Sequence, residues 1–297
     1  MIKKVLILGG TGMLGHVLFT QLSLQKDLDV YATARSSNGI SQWFSADLIK
    51  KIRVDVDADN FDTIIRAFAA IQPNIVINCI GLIKQLPLVS DPLSAITINS
   101  LLPHRISMIC RSAGARFIHI STDCVFDGQK GNYIEDDPVN SNDIYGKSKF
   151  LGEVAYPPHC LTLRTSIIGH ELKGKYGLVE WFLSQTGSIR GFTHAIYSGF
   201  PTVELVRIIT GSVFPNENLT GVFHVSSEHI SKYDLLQLIA KKYEKQIKIE
   251  QDDDFCHDLS LNSSVFRRVT GYKPMPWVEL IDNMHKHYIS SPCYIKL

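Results

Sequence analysis

Near its start the chain reads Val5-Leu6-Ile7-Leu8-Gly9-Gly10-Thr11-Gly12-Met13-Leu14-Gly15. Consecutive apolar residues from Val5 to Leu8 describe a strand buried on both faces, because a half-solvated strand would alternate. Glycines at 9, 12 and 15 permit a tight turn, let backbone N–H groups approach a pyrophosphate, and let the following helix pack close to the strand. The helix N-terminus then favours negative charge. A glycine turn alone only joins a strand to a helix. Strand, turn and helix in this order predict a dinucleotide site lined by Gly9, Thr11, Gly12, Met13, Leu14 and Gly15, with the spacing G-x-x-G-x-x-G.

Working outward, short apolar runs recur at Lys4–Leu8, Asp29–Thr33, Ile52–Asp55, Asn74–Asn78, Arg116–Ser121 and Cys160–Arg164. Between them Met13–Leu24, Phe61–Ile71, Ser94–Gly114 and Tyr145–Val154 have the length and apolar spacing of crossover helices. This alternation predicts an α/β fold of Rossmann type, a doubly wound parallel sheet, with a smaller C-terminal substrate-binding domain. After Arg164 the rhythm changes. Residues 169–191 read as an insertion rich in glycine and aromatic residues, with a helix at Leu178–Ser184. A helix at Thr202–Val213, a strand at Gly221–Val225 and helices at Lys232–Tyr243 and Trp277–Tyr288 follow. The expected division is 1–168 for the dinucleotide, rejoined by about 192–225, with 169–191 and 226–297 carrying substrate.

Bulk properties bound the function. The 297 residues are 45% hydrophobic, enough to fill a core. Thirty Lys plus Arg against 29 Asp plus Glu give a net charge of +1, so no overall field gathers nucleic acid or an anionic membrane. The six cysteines are scattered without a C-x-x-C, and neither they nor the histidines show metal-ligand spacing, so reduced thiols and no metal are expected. The apolar run after Met1-Ile2-Lys3-Lys4 is too short for a signal peptide, and no run reaches the roughly 18 residues of a membrane span. A cytoplasmic protein is expected, with a homodimer as its assembly.

The end of the second strand discriminates cofactors. An acidic residue there binds the ribose 2′-hydroxyl of NAD, whereas a basic one pairs with the 2′-phosphate of NADP. The chain has Ala34-Arg35-Ser36, so NADP(H) is the preferred cofactor and NAD(H) the second option. The bland alternative is a solvated Arg35. Asp55, after the third strand, is a candidate for the adenine amine, or a helix-start residue.

Tyr145-Gly146-Lys147-Ser148-Lys149 places a phenol and an ammonium four residues apart, on one helix face. A phenol of pKa about 10 is a poor proton donor at neutral pH, and a nearby cation lowers that value. Tyr145 can then protonate a developing alkoxide. Such a pair arises often by chance. It is reinforced by Ser121-Thr122-Asp123 at the C-terminal end of a strand, where ligands bind in these folds. Thr122 is a candidate to hold a substrate carbonyl, or else a turn cap. Asn99 is a candidate to support Lys149 through its carbonyl and a water, or a structural residue of its helix.

Taken together, Gly9 to Gly15, Asn78-Cys79-Ile80-Gly81, Ser121-Thr122-Asp123-Cys124-Val125-Phe126-Asp127-Gly128, Tyr145 to Lys149 and Leu163-Arg164-Thr165-Ser166 resemble an extended short-chain dehydrogenase/reductase. The S-T-D-x-V-F-x-G run, the R-T-S and Gly199-Phe200-Pro201-Thr202 are similar to the dTDP-4-dehydrorhamnose reductase branch. The resemblance spans the chain and implies Thr122, Tyr145 and Lys149 as the catalytic set, with Gly81, Asn99, Tyr145 and Lys149 completing the cofactor site. It implies an NADPH-dependent reductase of a nucleotide-linked 4-keto-6-deoxyhexose, in the making of surface polysaccharide.

The chain departs from that branch where substrate would lie. Cys124 stands where Tyr is usual, G-F-P-T replaces G-A-P-T, and Leu82-Ile83-Lys84-Gln85-Leu86 lacks acidic character. The sugar is therefore either dTDP-4-dehydrorhamnose or a related UDP-linked acetamido-deoxyhexos-4-ulose. Lys84, Thr122, Asp123, Cys124, Trp181 and Arg190 are the substrate candidates; a Trp at helical spacing such as Trp181 is more often core, and Cys124 reads as packing. The alternatives are an epimerase or dehydratase with tightly bound NAD, and a non-catalytic NADP-binding regulatory subunit.

Overall fold

A computed structural model of the chain describes residues 2–85 and 87–294; Leu86, part of the loop singled out above, lies outside them. One parallel sheet dominates. Its strands are β1 (Lys3–Leu8), β2 (Leu28–Thr33), β3 (Ile52–Arg53), β4 (Ile75–Asn78), β5 (Arg116–Thr122), β6 (Cys160–Thr165) and a seventh, Gly221–His224. They lie in the order Gly221–His224, β6, β5, β4, β1, β2, β3, and every neighbouring pair is parallel. The chain therefore starts mid-sheet, winds outward to β3, and returns to β4 on the other side of β1. That reversal is the topological switch point, where crevices open beyond the strand ends.

Successive side chains of a strand face opposite layers, and the core divides accordingly. Val5 and Ile7 pack with Val17, Leu18 and Phe19 of the helix Gly15–Leu22 and with the helices near residues 205 and 280. Leu6 and Leu8 pack with Ile64 and Phe68 of the helix Phe61–Ile71 and with Ile106 and Cys110. Two sealed faces explain the consecutive apolar residues of Val5–Leu8 and Ile75–Ile77. The expected parallel α/β fold is what the chain adopts.

Several boundaries differ from expectation. The single helix expected over Ser94–Gly114 is Pro92–Ala95, a π-helical turn at Ile96–Leu101, and Leu102–Ala113. Pro103 has no N–H to give to the Asn99 carbonyl four residues back, and the ladder widens until Leu102 N–H reaches the Thr97 carbonyl. The helix expected over Tyr145–Val154 is Ile144–Leu151, capped at its start by the Asp143 carboxylate and ended at Gly152. Gly152 packs so close to the preceding layer that a Cβ there would meet the Asn99 carbonyl oxygen at 1.9 Å. The third strand stops at Arg53 because Asp55 turns into the left-handed region, φ 58°.

Beyond the main sheet, Ser188–Phe192 pairs with Lys248–Asp252, and Ala195–Tyr197 lies between Ile230–Ser231 and His257–Asp258. The helix Ser264–Thr270 was not expected from the sequence. No helix among the described residues is long and apolar enough to cross a membrane.

Candidate active site

The glycine turn lies at the switch point. Gly9, at φ 84°, backs onto the chain leaving β4, since a Cβ there would meet Ile80 at 3.1 Å and the Cys79 carbonyl carbon at 3.3 Å. A Cβ on Gly15 would strike the Gly9 carbonyl oxygen at 2.1 Å, so glycine is needed for the helix to start this close to the strand. Gly12 instead faces outward and is exposed, with only the Gly9 carbonyl oxygen within reach of a Cβ, at 3.4 Å. The turn thus presents backbone to an open face at the start of a helix, a form that fits a pyrophosphate. Arg35 and Asp55 are both exposed at the neighbouring sheet edge, where Val56 N–H donates to the Ala34 carbonyl at 3.1 Å.

Thr122 ends β5, and Tyr145 and Lys149 come from the helix Ile144–Leu151, which packs against that strand end. Thr122 and Tyr145 hydroxyls interact, and the Thr122 hydroxyl also donates to Asp123 Oδ1 at 3.1 Å. Burial drives the Tyr145 phenol above its ordinary pKa, and the neighbouring Cys124 and Asp123 add to this against the pull of Thr122. The sequence argument had Lys149 lowering that value. The net direction is upward because burial dominates, and the Lys149 ammonium donates to the Ile120 carbonyl at 2.8 Å. Burial in turn pulls Lys149 down to about 8, opposed by Glu153 and Cys79.

Asn99 reaches its neighbours through its side chain. Its Oδ1 accepts from Leu82 N–H at 2.8 Å, and its Nδ2 donates to the Leu82 carbonyl and the Ser148 hydroxyl, each at 3.2 Å. The loop after β4 is thereby clamped to the Tyr145 helix. Gly81 sits between them, where a Cβ would lie 3.4 Å from Asn99 Oδ1 and 3.8 Å from Lys149 Nζ. Gly81, Asn99, Tyr145 and Lys149 are thus brought together as expected neighbours.

The substrate candidates divide into two groups. Lys84 pairs with Asp143 at 2.6 Å, at the first turn of the Tyr145 helix. Against the upward push of burial, Gly146 N–H and Lys84 hold the Asp143 carboxyl below its ordinary value. Asp123 is buried and raised by that burial, against hydrogen bonds from Cys124, Thr122 and Ser166. Burial and the neighbouring Asp123 push the Cys124 thiol up, away from a nucleophilic thiolate. Arg190 lies elsewhere, in the outer strand Ser188–Phe192, exposed and paired with Asp252 at 3.0 Å. Trp181 is exposed on the helix Leu178–Ser184.

Sequence reasoning missed two groups. Glu153 and Arg164 form a buried ion pair that also takes the Ser121 hydroxyl, at 2.7 Å; the R-T-S run held Arg164, but nothing local marked Glu153 as its partner. Lys232 is close enough to Asp123 to stabilise its carboxylate and to His257 to depress its imidazole. His257 helps line an open cavity of about 480 Å³ with Asp127, Gly128 and His194. A basic helix-start residue gives no local signal of such a position.

The chain matches the model of the RmlD substrate binding domain over residues 3–288. It is 33% identical over 239 residues to the spore coat polysaccharide biosynthesis protein SpsK of Bacillus subtilis, covering 77% of this chain and 75% of that protein. It is 29% identical over 254 residues to methionine adenosyltransferase 2 subunit beta of Danio rerio, covering 81% of this chain and 74% of that protein. Its fold is similar to the crystal structure of dTDP-4-dehydrorhamnose reductase from Bacillus anthracis in complex with NADP, with a TM-score of 0.77 at 21% identity over 97% of this chain and 100% of that one. The chain belongs to the RmlD substrate binding domain family, within the extended short-chain dehydrogenase/reductases, a family of NAD(P)-dependent oxidoreductases.

Proposed function

We propose that this chain reduces, with NADPH, the 4-keto group of a nucleotide-linked 4-keto-6-deoxyhexose, either dTDP-4-dehydrorhamnose or a related UDP-linked acetamido-deoxyhexos-4-ulose, in surface-polysaccharide synthesis. The observation that carries the reading is the meeting of Thr122, Tyr145 and Lys149 at the end of β5, with Gly81 linking them to the switch point. The NADP complex of the Bacillus anthracis enzyme and the polysaccharide role in the Bacillus subtilis name support cofactor and pathway.

Gly9, Thr11, Gly12, Met13, Leu14 and Gly15 hold the pyrophosphate, Arg35 the 2′-phosphate, Asp55 the adenine, and Gly81, Asn99 and Lys149 the nicotinamide end. When bound, NADPH supplies the hydride. Thr122 and Tyr145 hydroxyls hold the ketone oxygen, and the Tyr145 O–H proton passes to it as it becomes the alcohol. Lys149, as an ammonium, offsets the charge left on Tyr145. Lys84, Asp123 and Cys124 face the sugar, and the positive charges of Lys84 and Lys232 suit its diphosphate. Trp181 and Arg190 stay as outer candidates on the substrate side. In this reading residues 1–168, rejoined by 192–225, serve the cofactor, and 169–191 and 226–297 serve the substrate.

The similarity to a methionine adenosyltransferase subunit favours a second reading, a non-catalytic NADP-binding subunit. An assembled Thr122, Tyr145 and Lys149 favours catalysis over it. The test offers the 4-keto products of several nucleotide-sugar dehydratases with NADPH or NADH and follows loss of nicotinamide absorbance. Oxidation of NADPH by at least one product is the expected result; oxidation by none, with the cofactor bound, transfers the case to the binding subunit.

A further inference from the structure

Past the last helix, Trp277–Ser290, the chain turns back and brings Tyr294 onto the helix that follows the glycine turn. Its ring stands edge-on to His16, with centroids 5.5 Å apart and planes at 90°. Tyr288 at 5.2 Å, His170 at 5.5 Å and His287 at 5.9 Å complete an aromatic cage around it. The Tyr294 hydroxyl meets His16 Nε2, and His16 Nδ1 meets the Gly12 carbonyl oxygen at 2.8 Å.

These partners dictate where the protons are. His16 is fully buried, and burial pulls its imidazole down to about 4, so it is neutral at physiological pH. A neutral imidazole donates from one nitrogen and accepts at the other. The Gly12 carbonyl can only accept, so Nδ1 carries the proton and Nε2 accepts from the Tyr294 hydroxyl. The chain Tyr294 O–H to His16 Nε2, and His16 Nδ1–H to Gly12 O, runs in a single direction. In the opposite tautomer a lone pair on Nδ1 would face the Gly12 carbonyl oxygen.

The Gly12 carbonyl belongs to the peptide unit that carries the Met13 N–H. In a trans peptide the C=O and N–H point in opposite directions, so a carbonyl held toward His16 turns the Met13 N–H away from it. Glycine at 12 gives that peptide little steric resistance to rotation. The helical bond from His16 N–H to the same oxygen, at 3.1 Å, is a second restraint, and it does not depend on the tautomer.

We propose that His16 and Tyr294 are positioning residues for the dinucleotide turn: Tyr294, donating to Nε2, holds the imidazole in place, and the imidazole Nδ1–H locks the Gly12–Met13 peptide, aiming its N–H at the cofactor phosphates. The proposal rests on the reading of Gly9–Gly15 as the NADPH site. Tyr294→Phe keeps the ring in its cage and removes only the donor. His16→Asn places an amide N–H near the position of Nδ1, and no longer needs Tyr294 to orient it.

The test is fluorescence titration of the full chain with NADPH, in wild type, Tyr294→Phe, His16→Asn and the double variant, together with imidazole ¹⁵N shifts of His16 in the cofactor-free protein. Tyr294→Phe is expected to weaken NADPH binding about three- to tenfold, the scale of one lost hydrogen bond, and to move the His16 Nε2 shift while Nδ1 keeps its proton. In the His16→Asn background the same substitution is expected to change nothing. Unaltered NADPH affinity or an unaltered Nε2 shift in Tyr294→Phe overturns the proposal, and so does an undiminished effect in the His16→Asn background, which would mark Tyr294 as packing alone. A wild-type chain that binds no NADPH, while the His16 Nε2 shift still responds to Tyr294→Phe, overturns the cofactor reading and the proposal with it.

Discussion

Glu153 grips Arg164 at two points, Oε1 receiving Nε at 2.8 Å and Oε2 receiving Nη2 at 2.7 Å, and both side chains are nearly sealed from solvent. The pair joins the end of the Tyr145 helix to β6, and Ser121 of β5 adds a third bond to the carboxylate. Removing one partner of such a pair leaves the other charge buried alone. Glu153→Gln is therefore expected to lower unfolding free energy by about 3–5 kcal/mol, measured by denaturant titration. A change within about 0.5 kcal/mol, the range of ordinary surface substitutions, contradicts this account of the pair.

Lys149 loses its proton near 8, because burial opposes the ammonium more than Glu153 supports it. If the ammonium offsets charge on Tyr145, kcat/KM falls as pH rises through about 8, and in Glu153→Gln the fall begins at lower pH. The profile is measured at constant ionic strength. A rate that stays flat to about pH 10, the ordinary range of a lysine, contradicts the role.

His16, His224 and His287 are each lowered to about 4, mainly by burial. In the unfolded chain they take up protons near 6.5, and in the folded chain only near 4. Between those values the unfolded state binds more protons, so stability is full above about 6.5 and is lost as pH falls toward 4. Thermal unfolding across that window is expected to show Tm dropping while most carboxylates are still ionised. A constant Tm down to about pH 4.5 would show that these imidazoles protonate in the folded state.

Arg35 is exposed at the end of β2, with a clear approach for a phosphate. Arg35→Ala is expected to weaken NADPH binding by about tenfold, the scale of a charge-assisted bond, and to leave NADH nearly unaffected. Equal losses for both cofactors would remove Arg35 from the 2′-phosphate.

Much of this architecture is legible in the residues, because strands sealed on both faces carry runs of consecutive apolar residues and a glycine is needed wherever a Cβ would strike backbone. Val5–Leu8 and Gly9–Gly15 carry both signals. Asp143 and Gly152, which end the Tyr145 helix where they do, act through a cap and a close approach to Asn99 from another layer. The π turn at Asn99 was within reach, since Pro103 stands four residues on. Pairs made across long separations left no local trace: Glu153 with Arg164, Asn99 with Leu82 and Ser148, and His16 with Tyr294 each depend on which elements the fold brings together. Spacing on a helix face gave the proximity of Lys149 and Tyr145 but no sign that burial would raise the phenol.

On the proposed reading, Tyr145 delivers the proton in a ketone reduction. The most direct measurement is the turnover of Tyr145→Phe with NADPH and a nucleotide-linked 4-keto-6-deoxyhexose, beside its NADPH affinity. The account predicts a loss of roughly a hundredfold or more in turnover with NADPH binding retained. Turnover equal to wild type would contradict it.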